Sequence, residues 1–595
     1  MKKNILLLSI LFLPFVLFSQ NKTIEINWGT AEKSNQGAFS TKNKASKSNR
    51  KSATQLLDLL IDQEMLFVEQ WQDIRLAEEG SLAVSDIVYK PLTTSEIKKI
   101  DKNLITDQHT YYLGSGKARD IYYTSVSINP IIRINGVYKK ISSFTLSYQY
   151  KNYERAAQRI PITNSVLATG DWYKFKIEQT GVHILNKSFL NSIGMNTDGI
   201  DPRTIKIYGN GGKVLPLKNI DNTVFDLVEN SIQVVGELDG SFDTNDFVLF
   251  YGTNAEGYQG TNFDTNINPY SDESYYYVTV DGGPGNRVQA MQEPSGNVTK
   301  IIDQYNRYQF IEFDKESPVK VGRRWFSNRF DIESDQTFNL NFPNIIPSQQ
   351  MKVNVKVASA SENSTSMAIT INGTSLNPLI FSPINDPFLL DSNQFSGEIP
   401  SGNENIVFNL NYNNGGNPSS IGYLDYISVD ALVQLKGVNG QLDFRWTEAA
   451  SIPGIGEYQI SSATQFSQVW DVTNPNFIVA KNNVGNSSEF SFKAVLGELR
   501  EYVAINPNDY FTPIKINRSY VPNQDLKGTI FNDESGNFKD IDFVIITPAF
   551  LLQSALKLAD HRATADGINV KVVTTDKIFE EFSSGKQDIA AIRNF

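Results

Sequence analysis

The chain is 595 residues long, several times the length of an ordinary domain, which predicts roughly three to five separate cores. Hydrophobic residues make up 40% and charged residues 20%, as in globular proteins, and the 39 glycines and 11% aromatic residues favour β-sheets. A net charge of −11 argues against nucleic acid as a partner, because that binding needs Lys and Arg against phosphates. The absence of cysteine excludes disulfides, thiolate metal sites and a cysteine nucleophile from these residues.

The first residues have the pattern of an export signal. Two lysines precede an apolar run over residues 5–18, which is too short to span a bilayer comfortably, and polar sequence follows from Ser19. This pattern predicts a signal peptide over residues 1–19, with cleavage beside Ser19 or Gln20. The protein is therefore expected to be exported.

The region after the signal is polar before it becomes structured. Residues 20–52 are rich in Ser, Asn and Lys and are predicted to form a flexible leader. Apolar residues from Ala53 to Trp71 recur at helical spacing, which predicts an amphipathic helix. The end of that range, residues 66–71, is equally compatible with the start of a strand.

Most of the chain has the alternation of antiparallel sheets. A first β-rich domain is predicted over residues 53–155, with alternation from Ile121 to Tyr150 and a hairpin turn at Asn135-Gly136. A second β domain is predicted over residues 156–300. Short strands separated by Asn- and Gly-rich turns predict a sandwich or jelly roll over residues 301–525.

The last segment, residues 530–595, differs in kind. Residues 542–547 form a nearly continuous apolar strand, a helical pattern covers residues 548–565, and residues 570–574 form a second strand. This order predicts a βαβ unit with parallel strands. Two such strands leave both sheet edges open, so we expect a truncated domain that is the least stable part of the chain.

One acidic loop has the composition of a calcium site. Asp239, Asp243 and Asp246 surround Gly240, and carboxylate oxygens are the ligands that Ca²⁺ prefers. The loop lacks the spacing of an EF-hand, and a solvated turn between strands accounts for the same residues. The three aspartates are candidate calcium ligands, and no other cofactor is predicted.

A second candidate site combines cations with an aromatic ring, at Arg323, Arg324 and Trp325. Such groups occur together in carbohydrate and peptide sites, although an ordinary edge strand accounts for them as well. The histidines lie far apart in the sequence and are expected to be structural or exposed: His109, His183 and His561.

Several segments resemble the gingipain family of cysteine peptidases, and within it the sortases of the type IX secretion system. The β-rich segments that carry this resemblance are residues 167–174, 201–203, 207–212, 239–252, 422–427 and 469–473. The final stretch resembles the start of the gingipain caspase-like domain, at residues 544–548, 558–562, 570–574 and 583–595. The expected fold is therefore mostly β, with antiparallel β-sandwich or jelly-roll modules followed by the truncated start of a caspase-like α/β domain.

The resemblance also implies a function. Catalysis in that family uses a His and a Cys, and no catalytic residue can be assigned here because the chain has no cysteine. The implied role is to cleave C-terminal sorting signals from exported protein substrates at the outer-membrane surface, beside an outer-membrane β-barrel partner. A secreted gingipain-like protease and a non-catalytic surface protein for adhesion or carbohydrate binding are the alternatives.

Overall fold

The computed structural model describes residues 19–26, 28, 67–97, 105–118, 121–150, 164–257, 264–318, 324–386 and 389–595. The chain divides into two compact units, Met1–Ile160 and Pro161–Phe595. The predicted signal peptide lies outside the described residues except for Ser19, which opens the first strand.

The first unit consists of antiparallel sheets and a short helix. Its elements are β1 (Ser19–Glu25), β2 (Phe67–Asp73), β3 (Ala83–Pro91), α1 (Thr94–Ile97), β4 (Tyr111–Ala118), β5 (Ile121–Ile128), β6 (Ile131–Ile134) and β7 (Val137–Gln149). One sheet has the order β1-β7-β3, with β6 also paired to β7, and the other has the order β2-β5-β4. Apolar residues of both sheets meet in one core around Phe144 and Leu146.

The described residues correct one prediction for this unit and decide another that was left open. Residues 20–25 do not belong to a flexible leader but lie in β1 and pair with β7, because Ile24 and Ile26 enter the core while polar residues alternate with them. At the end of the predicted helix the strand alternative is confirmed, since β2 begins at Phe67, which is buried in the same core. The rest of the predicted helix lies outside the described residues.

The hairpin predicted in this unit is confirmed. Ile134 pairs with Val137, and the two residues between them, Asn135 and Gly136, have φ angles of 49° and 78°. Positive φ at both central residues is the requirement of the two-residue turn that matches the twist of antiparallel strands.

The second unit begins with short strands around one helix: β8 (Trp172–Ile177), β9 (Gly181–Asn186), α2 (Lys187–Ser192), β10 (Lys206–Tyr208), β11 (Glu229–Asn230), β12 (Ile232–Val235), β13 (Phe247–Gly252) and β14 (Ser274–Thr279). Strands β12, β13 and β9 form one sheet, in that order. Short 3-10 helices occur in both units, at Glu79–Ser81, Val166–Ala168, Pro202–Thr204, Asn219–Asp221, Glu237–Asp239, Thr447–Ala450 and Ala549–Leu551.

A long run of strands follows: β15 (Gln289–Ala290), β16 (Lys300–Ile302), β17 (Gln304–Glu312), β18 (Asn328–Phe330), β19 (Asp335–Asn341), β20 (Gln350–Ala360), β21 (Thr365–Ile371), β22 (Thr374–Ser375), β23 (Leu379–Phe381), β24 (Asp391–Pro400), β25 (Asn405–Asn413), β26 (Ile421–Gln434), β27 (Leu442–Arg445), β28 (Gly454–Ile460), β29 (Gln468–Asp471), β30 (Val479–Asn482), β31 (Phe490–Leu496), β32 (Glu501–Ile505) and β33 (Ile514–Val521).

These strands form the predicted sandwich and two smaller sheets. The sandwich sheets have the orders β17-β26-β20-β24 and β19-β25-β21-β22, and their inner faces share one core, which contains Val355 and Phe408. The smaller sheets have the orders β15-β30-β29-β32-β27 and β16-β28-β31. The fold is thus mostly β and largely antiparallel, as the sequence predicts.

Strand β33 returns to the start of the unit. It pairs with β8 and completes the sheet β11-β10-β14-β8-β33, with Ile514 opposite Lys176 and Val521 opposite Trp172. This strand lies within the predicted third domain but belongs to a sheet of the predicted second domain. The region from β15 to β32 is therefore inserted between two parts of one sheet.

The final segment contains the parallel unit that the sequence predicts. Its elements are α3 (Leu526–Thr529), β34 (Phe543–Thr547), α4 (Leu552–Asp566), β35 (Val570–Thr574), α5 (Thr575–Phe582) and α6 (Ile589–Asn594). Strands β34 and β35 are parallel, and α4 connects them. Helix α5 was not predicted.

Burial divides this segment into two parts. Phe543, Val544 and Ile546 on β34 are each more than a third exposed, whereas Ile578 on α5 and Ala591 on α6 are fully buried. The later part of the segment therefore has its own core, which it shares with neighbouring residues of the second unit such as Leu215.

Candidate functional site

The three predicted calcium ligands accept hydrogen bonds within one loop, two of them from backbone groups and Asp243 from the Ser241 hydroxyl. Asp239 accepts the N–H of Ser241 at 3.0 Å, and Asp246 accepts the N–H of Asp243 at 2.6 Å. Asp246 also fills the space beside Gly236, where a Cβ atom would overlap its carboxylate. In the described ranges, no group of three or more His, Cys, Asp or Glu side chains could hold a metal ion. The hydrogen bonds therefore give Asp239 and Asp246 a turn-capping role, and calcium binding stays a prediction.

The predicted cation and aromatic site is only partly described, since Arg323 lies outside the described residues. Arg324 donates from Nη1 to Asp425 and, at 3.0 Å, from Nη2 to Asp264. Trp325 is 37% exposed and lies beside the same groups. Because both ion pairs of Arg324 lie within the chain, this residue has a structural role. Its part in ligand binding stays a prediction.

These ion pairs belong to a polar cluster that joins two parts of the second unit. Lys356 on β20 contacts Asp264, which lies between β13 and β14, and its Nζ is 3.8 Å from Asp425 on β26. Burial raises the pKa of Asp425 to about 6, although Arg324 and Lys356 oppose this shift. Burial also lowers the pKa of Lys356. The cluster fastens the loop after β13 to the sandwich.

A loop at residues 583–588, here called the anchor loop, holds the final segment on the sheet that contains β10 and β14. Ser584 Oγ donates to the carbonyl of Tyr275 at 3.2 Å and accepts the N–H of Asn210 at 3.2 Å. Its neighbour Gly585 has a φ of 79°, and a Cβ atom there would lie 2.4 Å from the Tyr277 hydroxyl. The close approach to the sheet therefore requires glycine at this position.

Two buried charged groups complete the anchor loop. The Lys586 ammonium group is almost inaccessible and donates to the carbonyl of Gly211 at 3.0 Å. Asp588 accepts the N–H of Leu215 at 2.9 Å and also caps α6 by accepting the N–H of Ala590 at 2.8 Å. Each group satisfies a backbone atom of the sheet region that would otherwise be buried without a partner.

The electrostatics of the anchor loop follow from this burial. Burial lowers the pKa of Lys586 to about 8, and the nearby Asp588 carboxylate opposes the shift. Burial likewise raises the pKa of Asp588, which the hydrogen bonds from Leu215 and Ala590 oppose. Neither the Lys586 ammonium group nor the Asp588 carboxylate is therefore fully hydrated.

Two glutamates of helix α5 add further polar contacts to the same interface. Glu580 accepts hydrogen bonds from Lys174 on β8 and from Tyr277 on β14. Glu581 is completely buried and accepts the N–H of Leu526 at 2.7 Å. Lys527 forms ion pairs with two carboxylates. Its Nζ is 3.4 Å from Glu581 on α5 and 3.5 Å from Asp226, which lies shortly before β11.

Sequence reasoning did not identify these residues as a site. The Ser-Ser-Gly-Lys run at residues 583–586 carries the local signal of a polar turn, but the partners of Lys586 and Asp588 lie several hundred positions earlier. Only the structure shows that these charged side chains are buried.

The histidines occupy structural or exposed positions, in agreement with the sequence. His183 is buried, and burial lowers its pKa to about 4. His109 contacts the Tyr89 hydroxyl at 3.0 Å and the carbonyl of Asn129 at 2.9 Å. His561 lies on the exposed face of α4.

Residues 537–595 match the family model of peptidase family C25. The matched range contains β34, α4, β35 and the anchor loop. The segment that contacts the sheet of β10 and β14 is therefore the one that matches this family model.

Much of the fold is similar to a solved structure, the crystal structure of dimeric latent PorU from Porphyromonas gingivalis. The TM-score is 0.59 at 20% sequence identity, and the match covers 73% of this chain and 40% of the PorU chain. This likeness confirms the mostly β fold predicted from the sequence, and the match of residues 537–595 to peptidase family C25 supports the predicted resemblance to the gingipain peptidases.

Other similarities are much weaker. A CBM36 domain of a xylanase from the hindgut metagenome of Trinervitermes trinervoides has a TM-score of 0.14 at 12% identity, covering 22% of this chain and 99% of that domain. No curated protein sequence matches the chain. Within the described ranges, no helix has the length and apolar character needed to cross a membrane.

Proposed function

We propose that this chain belongs to a gingipain-type cysteine peptidase that acts as a sortase of type IX secretion. The sortase cleaves C-terminal signals from exported cargo proteins and attaches the cargo to the cell surface. The observation that carries the proposal is the match of residues 537–595 to peptidase family C25, in a chain whose fold is similar to that of PorU.

The β regions have a positioning role in this proposal. Polar contacts from Ser584, Lys586 and Asp588 to backbone atoms fix the segment that matches peptidase family C25 on its supporting sheet. A peptidase that acts on large protein substrates benefits from such a fixed support, because productive orientation of the reacting groups contributes strongly to the rate. The substrates are proteins with C-terminal sorting signals.

Location and partner follow from the same proposal. The basic and apolar start of the sequence supports export, and the proposed site of action is the outer-membrane surface beside an outer-membrane β-barrel partner. A thiolate is the nucleophile in this chemistry, and these 595 residues contain no cysteine. We therefore expect no thiol-dependent peptide cleavage by these residues alone.

Deletion of the gene in the source organism tests the proposed function. The sortase proposal expects cargo proteins to keep their C-terminal signals and to lose surface attachment, both measured by mass spectrometry of cell-surface and medium fractions. Complementation with the unaltered gene is the control. Normal cargo processing with reduced external proteolysis would instead favour a secreted protease, and normal processing with altered adhesion would favour a surface-binding protein.

A further inference from the structure

A cleft of about 1140 Å³ lies in the second unit between strands β15 and β31. Both strands are at the ends of their sheets, with β15 next to β30 and β31 next to β28. The cleft is separate from the anchor loop and from the residues that match peptidase family C25. A ligand in the cleft would therefore meet one strand edge on each wall.

The backbone of β31 points into the cleft. The N–H of Lys493 turns away from β28 and lies 3.3 Å from the Glu293 carboxylate on the opposite wall. Val495 has the same orientation, because Ile455 opposite it uses its carbonyl for Thr299, on the far side of β28. Alternate residues of a strand direct their N–H and C=O groups to the same side, so the edge of β31 is open toward the cleft.

The opposite wall is arranged in the same way. The backbone N–H of Gln289 donates to the carbonyl of Ile478 at 3.0 Å, and that of Met291 donates to the carbonyl of Ala480 at 2.8 Å. Ala290, between them, therefore directs its backbone away from β30. An extended chain in the cleft would meet main-chain donors and acceptors on both sides.

The floor of the cleft contains two donors whose hydrogen bonding is incomplete. Tyr502 is 1% exposed and lines the cleft, and its hydroxyl, beside that of Tyr458, makes no hydrogen bond of good geometry among the described residues. Nε of Arg500 likewise has no acceptor in the described part of the chain, although Nη1 of that residue donates to Asp471 at 2.9 Å. A buried donor without a good acceptor is costly, so both groups favour a ligand that brings oxygen acceptors.

Most of the charges that line the cleft are paired within the chain. Arg287 pairs with Glu237 at 2.8 Å, and Glu293 pairs with Lys481 at 3.1 Å. Apolar surface is exposed between these pairs, since Phe477 is 64% exposed and Val495 is 51% exposed. This combination suits apolar side chains and neutral acceptors better than a phosphate or a polyanion.

We propose that the cleft binds an extended peptide segment, whose main chain pairs with the edge of β31 and whose carbonyl oxygens accept hydrogen bonds from Tyr502 and Arg500. Strand addition to an open edge is a common mode of peptide recognition, in which main-chain hydrogen bonds give affinity and side-chain pockets give specificity. The proposal does not depend on the sortase function.

Selection from a phage-displayed library of linear heptapeptides on the purified 595-residue chain tests this proposal. The enriched peptides are synthesised with a fluorophore, and their affinity is measured by fluorescence polarisation. Val495→Pro removes a main-chain N–H that faces the cleft, a change that edge strands tolerate, and should weaken binding about tenfold or more. Ser491→Pro has the same orientation on β31 but lies outside the cleft lining, so it is the matched control and should bind as wild type does.

A second variant keeps the test independent of strand stability. Tyr502→Phe should weaken peptide binding about fivefold, because a hydrogen bond of this kind contributes about 1 kcal/mol. Its melting temperature should be unchanged or higher, since the lost hydroxyl makes no hydrogen bond of good geometry among the described residues of the free chain. Failure to enrich any peptide family, or equal affinity in Val495→Pro, Tyr502→Phe and wild type, would overturn the proposal. Self-association that Val495→Pro abolishes would also overturn it, since a second copy would then occupy the cleft.

Discussion

Lys586 shows how a single charged side chain can be tolerated inside an interface. Its ammonium group has two carbonyl acceptors, Gly211 at 3.0 Å and Ser583 at 3.2 Å, but burial still lowers its pKa to about 8. An unfolded lysine keeps its proton to a higher pH. The folded chain therefore binds fewer protons than the unfolded chain between about pH 8 and pH 10.5.

We expect the contribution of Lys586 to the free energy of unfolding to rise with pH through this window, by roughly 3 kcal/mol in total. Lys586→Met removes the titrating group. The difference in unfolding free energy between wild type and Lys586→Met should therefore shift in favour of wild type from pH 8 to pH 10.5, as measured by urea denaturation. Lys577→Met, at an exposed position on the adjacent helix α5, is the control and should follow wild type at every pH. A difference that does not vary with pH would contradict the assignment.

At the scale of elements, the anchor loop depends on one backbone conformation. Gly585 and Gly536 share a φ of 79°, but a Cβ atom would meet the Tyr277 hydroxyl only at Gly585 and would meet nothing within 4 Å at Gly536. Gly585→Ala should lower stability by about 2 kcal/mol or more, and Gly536→Ala by about 1 kcal/mol, since the latter carries only the backbone strain. Thermal denaturation of the two variants measures the difference. Equal losses would show that the overlap is relieved at no cost.

The exposure of β34 gives a second prediction at this scale. Val544 and Ile546 are about a third exposed, whereas Ile578 and Phe582 of α5 are buried. Backbone amides of β34 and α4 should therefore exchange faster with deuterium than those of α5 and α6, because local opening exposes less apolar surface there. Hydrogen exchange with mass spectrometry can measure both in one sample. The sequence predicts low stability over all of residues 530–595. Equally fast exchange in both parts would support that prediction, and equally slow exchange would contradict both.

Local patterns in the sequence predicted several elements correctly. The Asn135-Gly136 hairpin and the parallel pair around α4 follow from turn chemistry and apolar periodicity within a few residues. Strand β1 was missed because Ile24 within it and Ile26 just after it are surrounded by polar sequence and need β7 to form a core. The anchor loop was missed for the same reason, since its burial is set by residues far away in the sequence.

At the scale of the whole molecule, the second unit depends on strand pairing across the inserted region. Strand β33 covers the edge of β8, and Asp525 accepts the N–H of Ser165 at 2.8 Å. A fragment of residues 161–300 should therefore lack a cooperative unfolding transition, although that range agrees closely with a domain predicted from the sequence. A fragment of residues 161–595 should keep one. Circular dichroism on heating distinguishes them, and a sharp transition in the shorter fragment would contradict this dependence.

The fold class could be predicted from composition and alternation, but the domain boundaries could not. Alternation shows that a segment is a strand and which residues face inward, yet it does not show which strand it pairs with. The pairing of Val521 with Trp172 is therefore visible only in three dimensions.

The return of β33 to β8 also has a consequence for the time course of folding. During synthesis β8 is made early, and its edge stays unpaired until several hundred further residues, including β33, have been made. Contacts of such long sequence separation slow folding, and an open strand edge is a template for aggregation in the meantime. If the inserted sandwich folds first, it brings the two ends of the inserted region together. The connection between β8 and β33 is then a rigid domain and not a long flexible loop, so most of the entropic cost of loop closure has already been met. The inserted region then assists the folding of the sheet that surrounds it.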